Sequence, residues 1–117
     1  MLEDKFSREV NTVQQKLLDK ALLMKWPVSV TGFLTSARFD SGSLIGVVWH
    51  HRKAGLNGSR FANGHLIVTS MVVSFREYDG YYLFKTLNSY YVVIDFAADM
   101  SSLFEFVREV PRLQTLY

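Results

Sequence analysis

His65-Leu66-Ile67-Val68-Thr69-Ser70-Met71-Val72-Val73-Ser74-Phe75-Arg76 is the stretch on which the fold turns. Its β-branched and aromatic side chains suit a pleated surface. Successive residues of a strand point to opposite sides. Leu66, Val68, Ser70, Val72 and Ser74 therefore share one face, and Ile67, Thr69, Met71, Val73 and Phe75 share the other. The second set is almost wholly apolar, so the alternation predicts that it faces the core.

Downstream, Tyr78-Asp79-Gly80 is a hairpin signal, because Asp-Gly tolerates the positive φ of a tight turn. Tyr81–Leu87 and Tyr90–Phe96 read as two more strands. Asn88-Ser89 between them can turn the chain or sit inside a longer bent ribbon. Upstream, Leu44–Trp49 is an apolar run behind the turn Asp40-Ser41-Gly42-Ser43. Residues 28–36 have the β-branched content of a strand, with Gly32 marking a bend or bulge.

A helix is expected at each end. Phe6, Val10, Val13, Leu17, Ala21 and Met24 form one apolar stripe, widened by Leu18 and Leu22, which predicts a helix over 3–25. Pro27 stops it. Asp99 or Ser101 can cap a last helix whose buried stripe is Leu103, Phe106, Val107 and Val110, ending at Pro111. The order helix, about five strands, helix indicates an α+β fold with a mainly antiparallel sheet. Five short strands with glycine bends curl toward a small open barrel. All of residues 1–117 are expected in a single domain.

Composition narrows the function classes. Apolar residues make up 49% and charged residues 21%, which separates the chain from disordered polymers. With no cysteine there is no disulfide framework, and a reducing cytoplasm fits. No apolar run approaches the roughly 20 residues of a transmembrane helix. Glu3 and Asp4 stand where a secretory signal would carry bases, so no membrane association or export is expected. Residues 1–60 hold nine bases against five acids, whereas residues 61–117 hold four against six. That asymmetry can steer an anionic partner.

Catalytic signatures are missing. His50 and His51 are adjacent, so on a strand they would point apart, which is poor geometry for joint metal ligation. No Gly-x-Ser-x-Gly elbow, Walker loop or dinucleotide fingerprint occurs. Asp95 and Asp99 flank a strand-to-helix junction, where capping accounts for Asp99. Glu105 and Glu109 read as a solvated helix face. The expectation is a protein that is not an enzyme and holds no cofactor or metal.

Two contact surfaces stand out. The first is a basic loop, in which His50, Arg52, Lys53 and Arg60 supply charge and Trp49 and Phe61 supply aromatic faces. Barrels bind single-stranded nucleic acid with such a groove and such platforms. The second is a set of tyrosines, Tyr78, Tyr81, Tyr82, Tyr90 and Tyr91, of which one in each adjacent pair must leave the core. Aromatic residues are enriched in protein interfaces.

Phe61-Ala62-Asn63-Gly64, the strand Leu66–Val73 with its Thr69-Ser70 pair, and Thr86-Leu87-Asn88-Ser89-Tyr90-Tyr91-Val92-Val93 together resemble small proteins of bacterial phages and mobile elements. Those proteins are largely of unassigned function, so the resemblance implies a setting and no activity. Residue chemistry and setting lead to one expectation and one alternative. The expectation is a non-catalytic protein-interaction module acting on a host protein or defence complex. The alternative is a small nucleic-acid-binding barrel using loop 50–60. A homodimer, through the first helix or an exposed sheet edge, is left open.

Overall fold

The computed structural model describes residues 10–55 and 60–97. A helix, α1 (Thr12–Leu23), precedes five strands: β1 (Gly32–Asp40), β2 (Ser43–Trp49), β3 (Leu66–Tyr78), β4 (Tyr81–Thr86) and β5 (Tyr90–Val93). The strands run up and down in chain order and close into a barrel. An odd number of alternating strands must close on a parallel pair, and β1 pairs with β5 in parallel at Gly32–Leu34. The barrel is therefore closed, not open as expected. Each described strand is paired on both sides, which leaves no full-length edge for a sheet-edge dimer.

Within the expected span 3–25, residues 10 and 11 precede the helix, and residues 3–9 lie outside the described residues. Asn11 caps the helix: its side chain accepts from the Gln14 N–H at 2.8 Å, and the Gln14 carboxamide oxygen accepts from the Asn11 N–H at 3.0 Å. This reciprocal capping box fixes the start at Thr12. The stripe is also rotated. Val13 is 67% exposed, and Gln14 is buried in its place. The expected C-terminal helix lies outside the described residues. No described helix is long and apolar enough to cross a membrane.

Two apolar layers hold the barrel. Inside it, Leu34, Leu44, Val48, Ile67, Phe75 and Phe84 are buried together. On its outer wall, Leu18 and Ala21 of α1 pack against Phe33, Tyr81, Leu83 and Val92 from β1, β4 and β5. Complete burial of a side chain of this size stabilises by about 1.5–3 kcal/mol. Trp26 closes the helix onto the wall: its indole N–H donates to the Ala21 carbonyl at 2.9 Å. Its ring centroid lies 5.3 Å from that of Tyr78 and 5.8 Å from that of Tyr81.

Strand β3 departs from strict alternation, and this decides what the surface shows. Against β2, Ser43 pairs with Met71 but Ile45 pairs with Val68, so β3 carries one extra residue. Against β4, Val72 pairs with Thr86 but Ser74 pairs with Lys85, a second extra residue. Each β-bulge shifts the phase by one. Ile67, Thr69 and Phe75 face inward as the alternation predicts, but Met71 and Val73 are exposed, while Val72 and Ser74 are buried. Thr69 stabilises the first bulge: its hydroxyl oxygen accepts from the Leu44 N–H at 3.0 Å. The β3–β4 turn follows the sequence, with Asp79 and Gly80 at φ 51° and 88°.

Candidate interaction surface

The loop after β2 is built on a buried histidine. His50 takes a positive φ of 51°, stays exposed, and donates its N–H to the Asn63 side chain at 2.7 Å. The next residue, His51, turns into the barrel wall and is buried. Its ring stacks on Phe61 at 4.0 Å between centroids, with 13° between planes. Its Nδ1 accepts from the Lys53 N–H at 3.0 Å. That bond places the neutral ring's proton on Nε2, which donates to the Tyr91 hydroxyl at 3.0 Å. Gly32 makes the space: a Cβ there would sit 3.1 Å from the His51 ring and 3.3 Å from Tyr91.

Burial, and secondarily the Lys53 cation, hold the His51 pKa below its ordinary 6.5. Burial pushes the Tyr91 hydroxyl up, against an opposing pull from Ser89 and Arg60. The unfolded chain takes up the His51 proton at a higher pH than the folded chain. The stabilising contribution is therefore complete above pH 6.5 and declines as pH falls below that value. Urea unfolding should show wild type losing stability between about pH 7.5 and about pH 5.5 by more than His51→Gln does. Parallel losses in the two proteins would refute this.

The basic side chains lie at the surface, but their aromatic companions are occupied. Arg52, Lys53 and Arg60 are exposed. Trp49 is half-buried in the helix-side layer, and its indole N–H donates to the Thr35 hydroxyl at 2.9 Å. Phe61 is covered on one side by His51, and the Arg60 guanidinium lies 5.2 Å from its centroid. Neither ring is an open platform for a base.

No family model, curated protein or solved structure matches the chain.

The tyrosines do not form one presented face. Tyr81 is buried beneath α1, where its hydroxyl donates to the Leu17 carbonyl at 2.7 Å. This corrects its reading as a contact residue: the helix claims the outer wall on which Tyr81 stands. Tyr78 is half-buried against Trp26 and donates to the Lys25 carbonyl at 3.2 Å. Tyr82 packs at the barrel end against Phe96, with centroids 5.5 Å apart. Tyr90 packs on the helix-side layer, with the Lys85 ammonium 6.0 Å from its ring.

A surface that the sequence did not single out takes their place. Met71, Val73 and Leu87 are 55%, 40% and 67% exposed. The Leu87 N–H donates to the Met71 carbonyl at 3.0 Å, which brings the β4–β5 turn against the bulged strand. Ser70 and Asn88 border the patch and are joined by an Asn88 N–H to Ser70 hydroxyl contact of 3.4 Å. The signal that could have found it is the Thr69-Ser70 pair, because a hydroxyl able to replace a backbone acceptor suits a bulge.

Proposed function

We propose that this chain is a non-catalytic protein-interaction module whose contact surface centres on Met71, Val73 and Leu87. The observation that carries the reading is the outward turn of Met71 and Val73 at the two bulges. An apolar centre within a polar border is the usual plan of a protein interface. Bulged strands re-aim side chains, so bulges flanking this patch fit a contact role. The resemblance to phage and mobile-element proteins supports a host protein or defence complex as the target.

The test uses the full chain, tagged, in bacterial lysate, with bound proteins identified by mass spectrometry. Met71→Glu with Val73→Glu should weaken recovery of a specific partner at least tenfold, the equivalent of about 1.4 kcal/mol. Arg52→Glu, Lys53→Glu and Arg60→Glu together should leave it unchanged. Equal recovery by the Met71/Val73 variant would reject the surface.

A second reading, a nucleic-acid-binding barrel, is favoured by one observation: Arg52, Lys53 and Arg60 are all exposed near the β2–β3 connection. Three phosphate contacts without an open stacking ring would give weak, salt-sensitive binding. If it holds, single-stranded and duplex oligonucleotides bind at low salt, and the triple glutamate variant abolishes that binding.

A further inference from the structure

Helix α1 covers the outer wall of the barrel at β1, β4 and β5. The remaining wall, over β1, β2 and β3, carries a hollow of about 280 Å³. Its floor is apolar and includes Ile45, Val47 and Leu66. Its polar side comes from β1 alone, through Thr35, Ser36 and Arg38. Neighbouring residues of a regular strand point to opposite faces, so Thr35 and Ser36 would not share a hollow. They share this one because β1 carries an extra residue between Thr35 and Arg38, where Ser36 takes its positive φ of 51°.

The three polar side chains are left with protons to give. The buried Thr35 hydroxyl accepts from the Trp49 indole, and the Ser36 hydroxyl accepts from the Gln14 side-chain amide. Both of those partners donate through N–H, so neither takes a hydroxyl proton. No described residue accepts the two hydroxyl protons, and the Arg38 guanidinium has no hydrogen-bond or ion-pair partner among the described residues. The Asp95 carboxylate is engaged elsewhere: it accepts from the Ser36 N–H and the Gln14 amide, and it does not line the hollow.

A rim that only donates, with one positive charge, suits a group that only accepts and carries one negative charge. A carboxylate meets both conditions: it pairs with a guanidinium through two oxygens and keeps lone pairs for hydroxyls. The floor suits an aliphatic body with no polar atom of its own. At about 280 Å³ the hollow falls just below the usual range of drug-sized ligand sites, so that body is short.

We propose that this hollow binds a short aliphatic monocarboxylate. The carboxylate sits on Arg38, Ser36 and Thr35, and the chain lies on Ile45, Val47 and Leu66. A multiply charged anion such as phosphate would meet one cation and an apolar floor, which leaves part of its charge uncompensated. The site goes beyond the protein-interaction reading, and none of Met71, Val73 and Leu87 lines it.

Hexanoate is the probe, titrated into the full-length, isotope-labelled protein while backbone amide signals are followed. The expected result is saturable shifts at Thr35, Ser36, Arg38, Val47 and Leu66, with Met71, Val73 and Leu87 unmoved. Hexanol has the tail without the charge, and acetate has the charge with almost no tail. Each should bind at least about tenfold more weakly than hexanoate. Arg38 is exposed, so Arg38→Gln keeps the fold, and it should bring hexanoate down to the level of hexanol. Leu66→Asp, at a position 46% exposed, should abolish hexanoate binding with the rest of the barrel spectrum in place. The proposal is overturned if hexanoate leaves the hollow's signals unmoved, or if the shifts centre on Met71 and Val73. Equal affinity for hexanol, acetate or inorganic phosphate overturns it too, as does wild-type hexanoate binding by either variant.

Discussion

Truncating Phe84 to alanine will cost about 3–5 kcal/mol, the range for removing a buried aromatic side chain. Phe84 is fully buried inside the barrel. Its ring centroid lies 5.8 Å from that of Phe75 and 6.2 Å from that of Phe96, so the void would be lined by rings held from several directions. Small domains are stable by only about 5–15 kcal/mol, so the variant will sit close to unfolding at room temperature. Chemical denaturation measures the loss. The same experiment checks the phase of β3. Met71→Ala should change stability by less than about 0.5 kcal/mol, because its side chain is already in water. Val72→Ala, at a buried position, should cost about 1–3 kcal/mol. Unbroken alternation would reverse those last two results.

That reversal marks where the sequence is legible and where it stops. Strand positions, turns and a helix ahead of the sheet were all readable, because each is a local property: apolar period, Asp-Gly at a turn, proline after a helix. Closure of the barrel was not, since it depends on a three-residue parallel contact between β1 and β5, strands with β2, β3 and β4 between them in the chain. Nor were the bulges, because an extra residue in one strand is defined only against its partner. Missing them moved Met71 and Val73 to the wrong side and hid the apolar patch. The tyrosines show a related failure. Alternation predicts correctly that one of Tyr81 and Tyr82 points out of the barrel, but outward is not solvent where a helix covers the wall. Trp49 was legible as an aromatic beside bases, yet its indole is fixed by Thr35 across the sheet.

Val13 and Gln14 are the instructive exception on the helix, because polarity there outranks the apolar period, and the reason supplies the second large effect. Asp95, just after β5, gathers two groups with its carboxylate. Its Oδ1 accepts from the Ser36 N–H at 2.7 Å, and its two carboxylate oxygens accept from the Gln14 side-chain amide at 3.2 and 2.9 Å. The same Gln14 amide donates to the Ser36 hydroxyl at 3.0 Å. Ser36 itself holds a positive φ of 51° at the irregularity in β1, a conformation that needs support in a residue with a Cβ. One carboxylate thus ties the start of α1 to the bend of β1 and the end of β5. Hydrogen bonds to a charged acceptor contribute about 1.5–3 kcal/mol each, and a buried donor left unpaired adds its own penalty. Asp95→Ala should therefore destabilise by about 2–4 kcal/mol, and Asp95→Asn, which keeps one carbonyl acceptor, by about half as much. The loss should not be uniform. With Gln14 released, the capping box no longer has a tether to the barrel, so amide exchange over Thr12–Leu23 should accelerate more than exchange over Leu66–Val72. Uniform acceleration across helix and barrel would mean that Asp95 supports global stability only, and that α1 is held to the wall by its apolar face alone.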